Sequence, residues 1–166
     1  MTEEVFREDA YARTCEATVV AAGPDGIVLD RTVFYPEGGG QPGDTGTLRL
    51  ADGREIAIAD TQKGDAGIRH LPEEGAALPA PGDAVIATID WDRRYRFMRM
   101  HTCMHLLLAC VDAQVTGGQI GEGKGRVDFN LPDPIIDKPA LEARLNALIA
   151  EDHPSAPVWI TDEDMA

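Results

Sequence analysis

The chain has 166 residues, 43% of them apolar and 27% charged, with 29 acidic against 15 basic side chains and a formal charge of −14. That is enough apolar material for one domain or two small ones, and it excludes wholesale disorder. A chain this acidic does not bind nucleic acid or anionic lipid indiscriminately, and its longest apolar run, the six residues 106–111, falls far short of a membrane span.

The N-terminus, Thr2-Glu3-Glu4-Val5-Phe6-Arg7-Glu8-Asp9, is acidic and lacks the apolar centre of a signal peptide. Three cysteines, Cys15, Cys103 and Cys110, have no framework spacing, so a cytoplasmic protein without a disulfide scaffold is expected. Residues 15–21 and 26–30 read as strands around an Ala22-Gly23-Pro24-Asp25 loop, and 47–50 and 54–59 as strands around Ala51-Asp52-Gly53. Residues 83–90 read as a further strand. Short strands at this spacing, in a chain with 17 glycines and 11 prolines, predict a small barrel or sandwich over residues 1–90.

The texture changes at Trp91. From 92 to about 115 there is no glycine or proline, and Tyr95, Met98, Leu108, Val111 and Val115 fall at helical spacings, predicting one long helix broken by Thr116-Gly117-Gly118. A Gly121-Glu122-Gly123-Lys124-Gly125 loop precedes a strand at 126–130. Asp137 is placed to cap a second helix with Pro139 in its first turn and Leu141, Leu145, Leu148 and Ile149 as its apolar stripe. His153-Pro154 ends that helix, and 158–160 begins another strand. Residues 91–166 thus read as α+β, and the stop soon after a new strand suggests a domain that continues.

Three features carry chemistry. His101 and His105 stand four apart on the long helix, so at ~100° per residue both imidazoles reach one point, as a zinc ion requires. Thr102 stands where a zincin helix needs its general-base glutamate. Two helix histidines also serve as ordinary core or surface residues, and two ligands are fewer than a catalytic zinc uses. Cys103 and Cys110 point away from the pair on an ideal helix, and Cys15, His70 or His153 would join it only through the tertiary fold. The second feature runs from Asp30 to Asp44 and contains Gly38, Gly39 and Gly40 in succession, which let backbone approach backbone or a ligand. It is not a phosphate loop, since no Gly-Lys-Ser/Thr follows. The third is Arg93, Arg94, Arg96 and Arg99, four arginines in seven residues, either a solvated face paired with local acids or a patch for a phosphodiester backbone.

Together the Phe34-Tyr35-Pro36-Glu37-Gly38-Gly39-Gly40-Gln41 signature, the arginine run into His101-x-x-x-His105, and Val127-Asp128-Phe129 resemble the editing domain of alanyl-tRNA synthetase and its free-standing AlaX-type relatives. The resemblance covers nearly the whole chain in the right order. It implies an α+β fold, with an N-terminal β-barrel packed on an α+β editing domain. It further implies a zinc-dependent hydrolase that removes serine or glycine from alanine tRNA and binds that tRNA's acceptor end through Gly38, Gly39, Gly40 and the arginines. The family's zinc ligands are His-x-x-x-His and a later Cys-x-x-x-His. His101 and His105 match the first pair, whereas the second has no counterpart in these 166 residues. The expectation is therefore a piece of a longer protein. Thr32 matches a family threonine credited with contacting the serine hydroxyl. Gln41 is a second polar group able to orient substrate. A site that hydrogen-bonds a substrate hydroxyl rejects the analogue lacking it by as much as about 10⁴–10⁵. With no nucleophile set evident, direct attack by water is expected. Competing readings are a non-catalytic tRNA-binding or interaction module that has lost its metal, and a metal-dependent esterase for small molecules.

Overall fold

A computed structural model describes residues 2–132 and 137–154, together with 156, 158, 160, 161 and 163. The elements in chain order are β1 (Glu3–Glu4), α1 (Val5–Glu8), β2 (Thr14–Gly23), β3 (Gly26–Leu29), β4 (Arg31–Thr32), β5 (Gly46–Leu50), β6 (Glu55–Gly64), β7 (Gly67–Pro72), β8 (Ala84–Ile89), α2 (Trp91–Cys110), β9 (Gln114–Gly121), β10 (Lys124–Asn130) and α3 (Lys138–Ala150). The architecture is α+β.

Six of the strands close an antiparallel barrel in the order β2-β3-β7-β6-β5-β8, with β8 pairing back onto β2. Alternation builds its interior. Ile56 and Ile58 of β6 and Val85, Ala87 and Ile89 of β8 point inward at every second position, against Val19, Leu29, Leu48 and Phe34. Each fully buried aliphatic or phenyl side chain contributes about 1.5–3 kcal/mol. Register shifts between Val19 and Ala21 and between Ile58 and Asp60 give the bends that closure needs. Two-residue turns, Pro24-Asp25 and Asp65-Ala66, join β2 to β3 and β6 to β7.

Asp90 starts α2, its carboxylate accepting from the Arg93 amide at 3.0 Å. The helix ends at Cys110, short of the expected 115, and the cause lies outside it. Arg144 of α3 donates to the Ala109 and Cys110 carbonyls at 3.0 and 3.2 Å, satisfying groups at the helix end. Thr116-Gly117-Gly118 is accordingly no helix breaker but the middle of β9. The expected 121–125 loop shrinks to a Glu122-Gly123 turn between Gly121 and Lys124, and Gly125 belongs to β10. Asp137 caps α3 as expected, accepting from the Ala140 amide at 3.0 Å, and the helix stops before His153-Pro154. The strand expected at 158–160 falls on a stretch that includes Trp159, which lies outside the described residues. No described helix is long and apolar enough to cross a membrane.

Candidate active site

The triple glycine is a tight turn. Gly38 and Gln41 exchange both backbone hydrogen bonds, at 3.1 and 3.0 Å, around Gly39 (φ +59°) and Gly40 (φ +77°). Positive φ at both central positions matches the twist of a two-residue turn, and glycine adopts it without strain. Three neighbours hold the turn. The Glu37 amide donates to the Thr61 carbonyl at 2.8 Å, the Tyr35 hydroxyl to the Gly38 carbonyl at 2.9 Å, and the Ile120 amide to the Gly40 carbonyl at 2.7 Å. A Cβ on Gly40 would lie 2.6 Å from the Gly118 carbonyl oxygen. The glycine at 40 therefore lets the barrel's turn touch the β9 backbone, while a Cβ on Gly118 would instead meet Met104 Cε at 3.3 Å and the Arg126 carbonyl at 3.4 Å.

Gln41 closes the turn, nearly buried, and aims its side chain at α2. Its Oε1 lies 3.2 Å from His101 Nδ1, where an Nδ1–H donates to it. That tautomer leaves the lone pair on Nε2. Gly39 flanks the same imidazole, since a Cβ there would stand 4.0 Å from His101 Cε1. The His105 ring stacks on His101 with centroids 5.0 Å apart and planes at 17°. Burial, and secondarily the neighbouring His105, hold His101 below the ordinary imidazole pKa. A neutral imidazole whose far nitrogen is oriented by a hydrogen bond is the form zinc binds. In donor chemistry the pair fits zinc as two ligands of a set. Among the described residues no third His, Cys, Asp or Glu gathers with it.

Thr32 is fully buried in the barrel. Its hydroxyl lies 2.8 Å from His70 Nε2 and accepts from the Phe34 amide at 3.0 Å. His70, an undecided ligand on sequence grounds, is a core residue edge-on to Phe34.

The arginine run divides. Arg94 is 3% exposed and is corrected from an RNA-facing residue to an internal clamp. It forks onto the buried Asp44 carboxylate, Nε lying 2.9 and 2.8 Å from its two oxygens, and donates from Nη2 to the Val33 carbonyl at 2.7 Å. Asp44 in turn accepts from the Tyr35 amide at 2.8 Å, so the clamp ties α2 to the segment that leads into the glycine turn. Arg93 is largely engaged too, donating to the Gly43 carbonyl at 2.6 Å and lying 4.6 Å over the Phe97 ring. Arg96 and Arg99 are exposed. Sequence reasoning missed the Asp44–Arg94 pair, the Tyr35 hydroxyl bond and the role of β9. Asp44 stood inside the singled-out Asp30-to-Asp44 stretch, and the Asp-x-Gly and Gly-Gly textures alone carried no hint of a partner fifty or more residues away.

The family model for tRNA synthetases class II (A) matches residues 6–93, which contain the barrel and the glycine turn. An alanyl-tRNA editing protein AlaX-M of Methanosarcina acetivorans is 47% identical over 165 residues, covering 93% of this chain and 67% of the relative. AlaX-M of Saccharolobus solfataricus is 40% identical over 136 residues, covering 79% of this chain and 57% of the relative. The alanine–tRNA ligase of Aeropyrum pernix is 39% identical over 158 residues, 90% of this chain and 17% of the ligase. The chain thus belongs to the alanyl-tRNA synthetase editing family, and it spans 57–67% of the length of the AlaX-M relatives it matches.

Proposed function

We propose that the protein edits alanine tRNA in trans, hydrolysing the ester that joins serine or glycine to the terminal adenosine of tRNA(Ala). The observation that carries the proposal is the meeting of Gln41, the Gly39 backbone and His101 at one point between barrel and helix. The names of the relatives support the same reaction class. In the proposed reaction water attacks the ester carbonyl and the ribose hydroxyl leaves, with no covalent enzyme intermediate. Gln41 uses its Oε1 on His101 and retains its amide N–H groups to orient the aminoacyl end. Thr32 is proposed to distinguish serine by accepting from its hydroxyl. That contact requires substrate binding to open access to a side chain that is fully buried on His70 and the Phe34 amide in the free protein. His101 and His105 are proposed to hold Zn²⁺, with further ligands from outside the described residues. Zinc, when bound, supplies Lewis-acid polarisation or a more acidic water. The partner is the acceptor end of tRNA(Ala), and the proposed location is the cytoplasm.

The two-ligand set among the described residues favours one alternative, a tRNA-binding module of this fold without a metal. Incubation with Ser-tRNA(Ala), Gly-tRNA(Ala) and Ala-tRNA(Ala) separates the readings. Faster loss of serine or glycine than of alanine is expected, and equal or absent deacylation of all three overturns the editing reading. Metal analysis is the independent measurement: stoichiometric zinc that disappears in His105→Ala supports the metal site, and metal-free protein with intact tRNA binding supports the module.

A further inference from the structure

Where the segment after α1 meets the start of α2, three aromatic rings gather at the surface. Tyr11 lies 5.6 Å from Trp91, and Trp91 stacks on Tyr95 with centroids 5.5 Å apart and planes at 21°. Helical spacing makes the row: Trp91, Tyr95 and Arg99 stand four apart, so they line one stripe of α2. Trp91 is half-buried and packs against the barrel core, which accounts for its place. Core packing does not account for the other two rings. Tyr11 is 62% and Tyr95 41% exposed, and neither hydroxyl has a partner among the described residues.

Two guanidiniums lie on these rings, Arg13 4.5 Å from the Trp91 centroid and Arg99 6.0 Å from that of Tyr95. Both arginines are exposed, and neither forms an ion pair among the described residues, although the chain holds 29 acids. Two neighbouring acids are engaged elsewhere, Asp9 accepting from the Tyr11 amide at 2.8 Å and Asp90 from the Arg93 amide at 3.0 Å. Asp92 is exposed and pairs with neither arginine. A guanidinium lying on a ring keeps its N–H edge for a phosphate. Open rings interleaved with free guanidiniums suit unpaired RNA nucleotides, whose bases stack on π-faces while their phosphates meet the cations.

The surface stands beside the candidate site. Tyr95 and His101 are six residues apart on α2, ~9 Å along its axis and about a third of a turn round it. That is a short reach for the nucleotides adjoining one held at His101. We propose that Tyr11 and Tyr95, flanked by Arg13 and Arg99, form a stacking surface for single-stranded RNA. That the strand is a tRNA acceptor end rests on the editing reading, and the affinity for unpaired nucleotides does not.

The test binds two labelled RNAs to the 166-residue chain across a salt series, read by fluorescence anisotropy. One is a hairpin with a single-stranded 3′ tail, and the other is the same hairpin with a blunt end. The tailed hairpin is expected to bind more tightly. Tyr11→Ala and Tyr95→Ala are each expected to weaken it about 5- to 100-fold with the slope of log affinity against log salt unchanged. Tyr11→Phe and Tyr95→Phe should bind like the parent. Tyr95→Leu, which keeps apolar bulk without a π-face, is expected to match Tyr95→Ala and serves where the smaller side chain fails to fold. Arg13→Gln is expected to lower the salt slope by about 1. Tyrosine variants that all bind the tailed RNA like the parent overturn the proposal and leave the rings to a protein partner. Equal affinity for tailed and blunt hairpins overturns it in favour of duplex backbone. Failure of the editing reading looks different: serine, glycine and alanine leave tRNA(Ala) equally fast while the tyrosine variants still weaken the tailed RNA.

Discussion

Thr32 and His70 behave as one buried unit whose protonation is dictated by its partners. His70 Nδ1–H donates to the Ile27 carbonyl at 2.9 Å, so Nε2 carries the lone pair and receives the Thr32 hydroxyl at 2.8 Å. Thr32→Val keeps the shape but leaves Nε2 and the Phe34 amide unpaired in the core. A loss of about 1–3 kcal/mol is expected in denaturant unfolding, and Thr32→Ser should recover most of it. Unfolding is measured without substrate, so this stability effect is read apart from any change in serine preference. Burial pushes the His70 pKa down to about 4 from an ordinary 6.5. The neutral ring is the folded form, so below pH 6.5 the unfolded chain takes up the proton first. His70 therefore contributes its full stability above pH 6.5 and loses it progressively as pH falls towards 4, on the order of 3 kcal/mol in all. Following the His70 ring resonance against pH checks this, and a midpoint near 6.5 would refute it.

At the scale of elements, the glycine turn is a joint as much as a surface. Gly40→Ala must adopt φ +77° and also push away a carbonyl 2.6 Å from its Cβ. Gly123 has the same backbone need, φ +74°, with nothing within 4 Å of its Cβ. Gly123→Ala is thus expected to cost about 1–2 kcal/mol of backbone strain. Gly40→Ala should cost at least ~1 kcal/mol more in the same unfolding assay, the excess reporting the contact with β9. Equal losses would mean that the contact with β9 contributes nothing. The same comparison explains what the residue pattern could reveal. The hairpins at 22–25 and 51–53 were legible because strand alternation and turn residues agree there, and the His101 and His105 pair was legible because helical spacing is local. β9 was not, since Gln-Val-Thr-Gly-Gly-Gln-Ile-Gly has neither alternation nor a buried run, and its pairing with β10 and packing on Met104 create it. The end of α2 was hidden for a related reason: it depends on Arg144, thirty-four residues beyond Cys110.

Across the whole molecule the arginine run shows why a charge cluster in sequence is not yet a surface. Successive helix residues turn by ~100°, so one run of four faces several directions. Arg94 points back to Asp44, 1% exposed, and Arg93 to the Gly43 carbonyl, while Arg96 and Arg99 face solvent. In a chain of charge −14 this leaves few cations free to meet RNA. Two kinds of mutant phenotype follow. Arg94→Met strands a buried carboxylate and unlocks α2 from the segment carrying the glycine turn, so unfolding should cost about 3–5 kcal/mol less than in the unaltered chain. His101 would then lose its registration on Gln41, and any deacylation should fall with stability. Arg96→Gln and Arg99→Gln disturb no buried partner, and their stability should stay within about 0.5 kcal/mol of the parent. Their expected effect is on tRNA alone, each lowering the salt dependence of affinity by about one ion without changing the unfolding midpoint. Parallel unfolding curves and salt titrations of the three variants check the division. Should Arg94→Met unfold like its parent, or Arg96→Gln and Arg99→Gln leave the salt dependence untouched, the assignment of clamp and surface would fail.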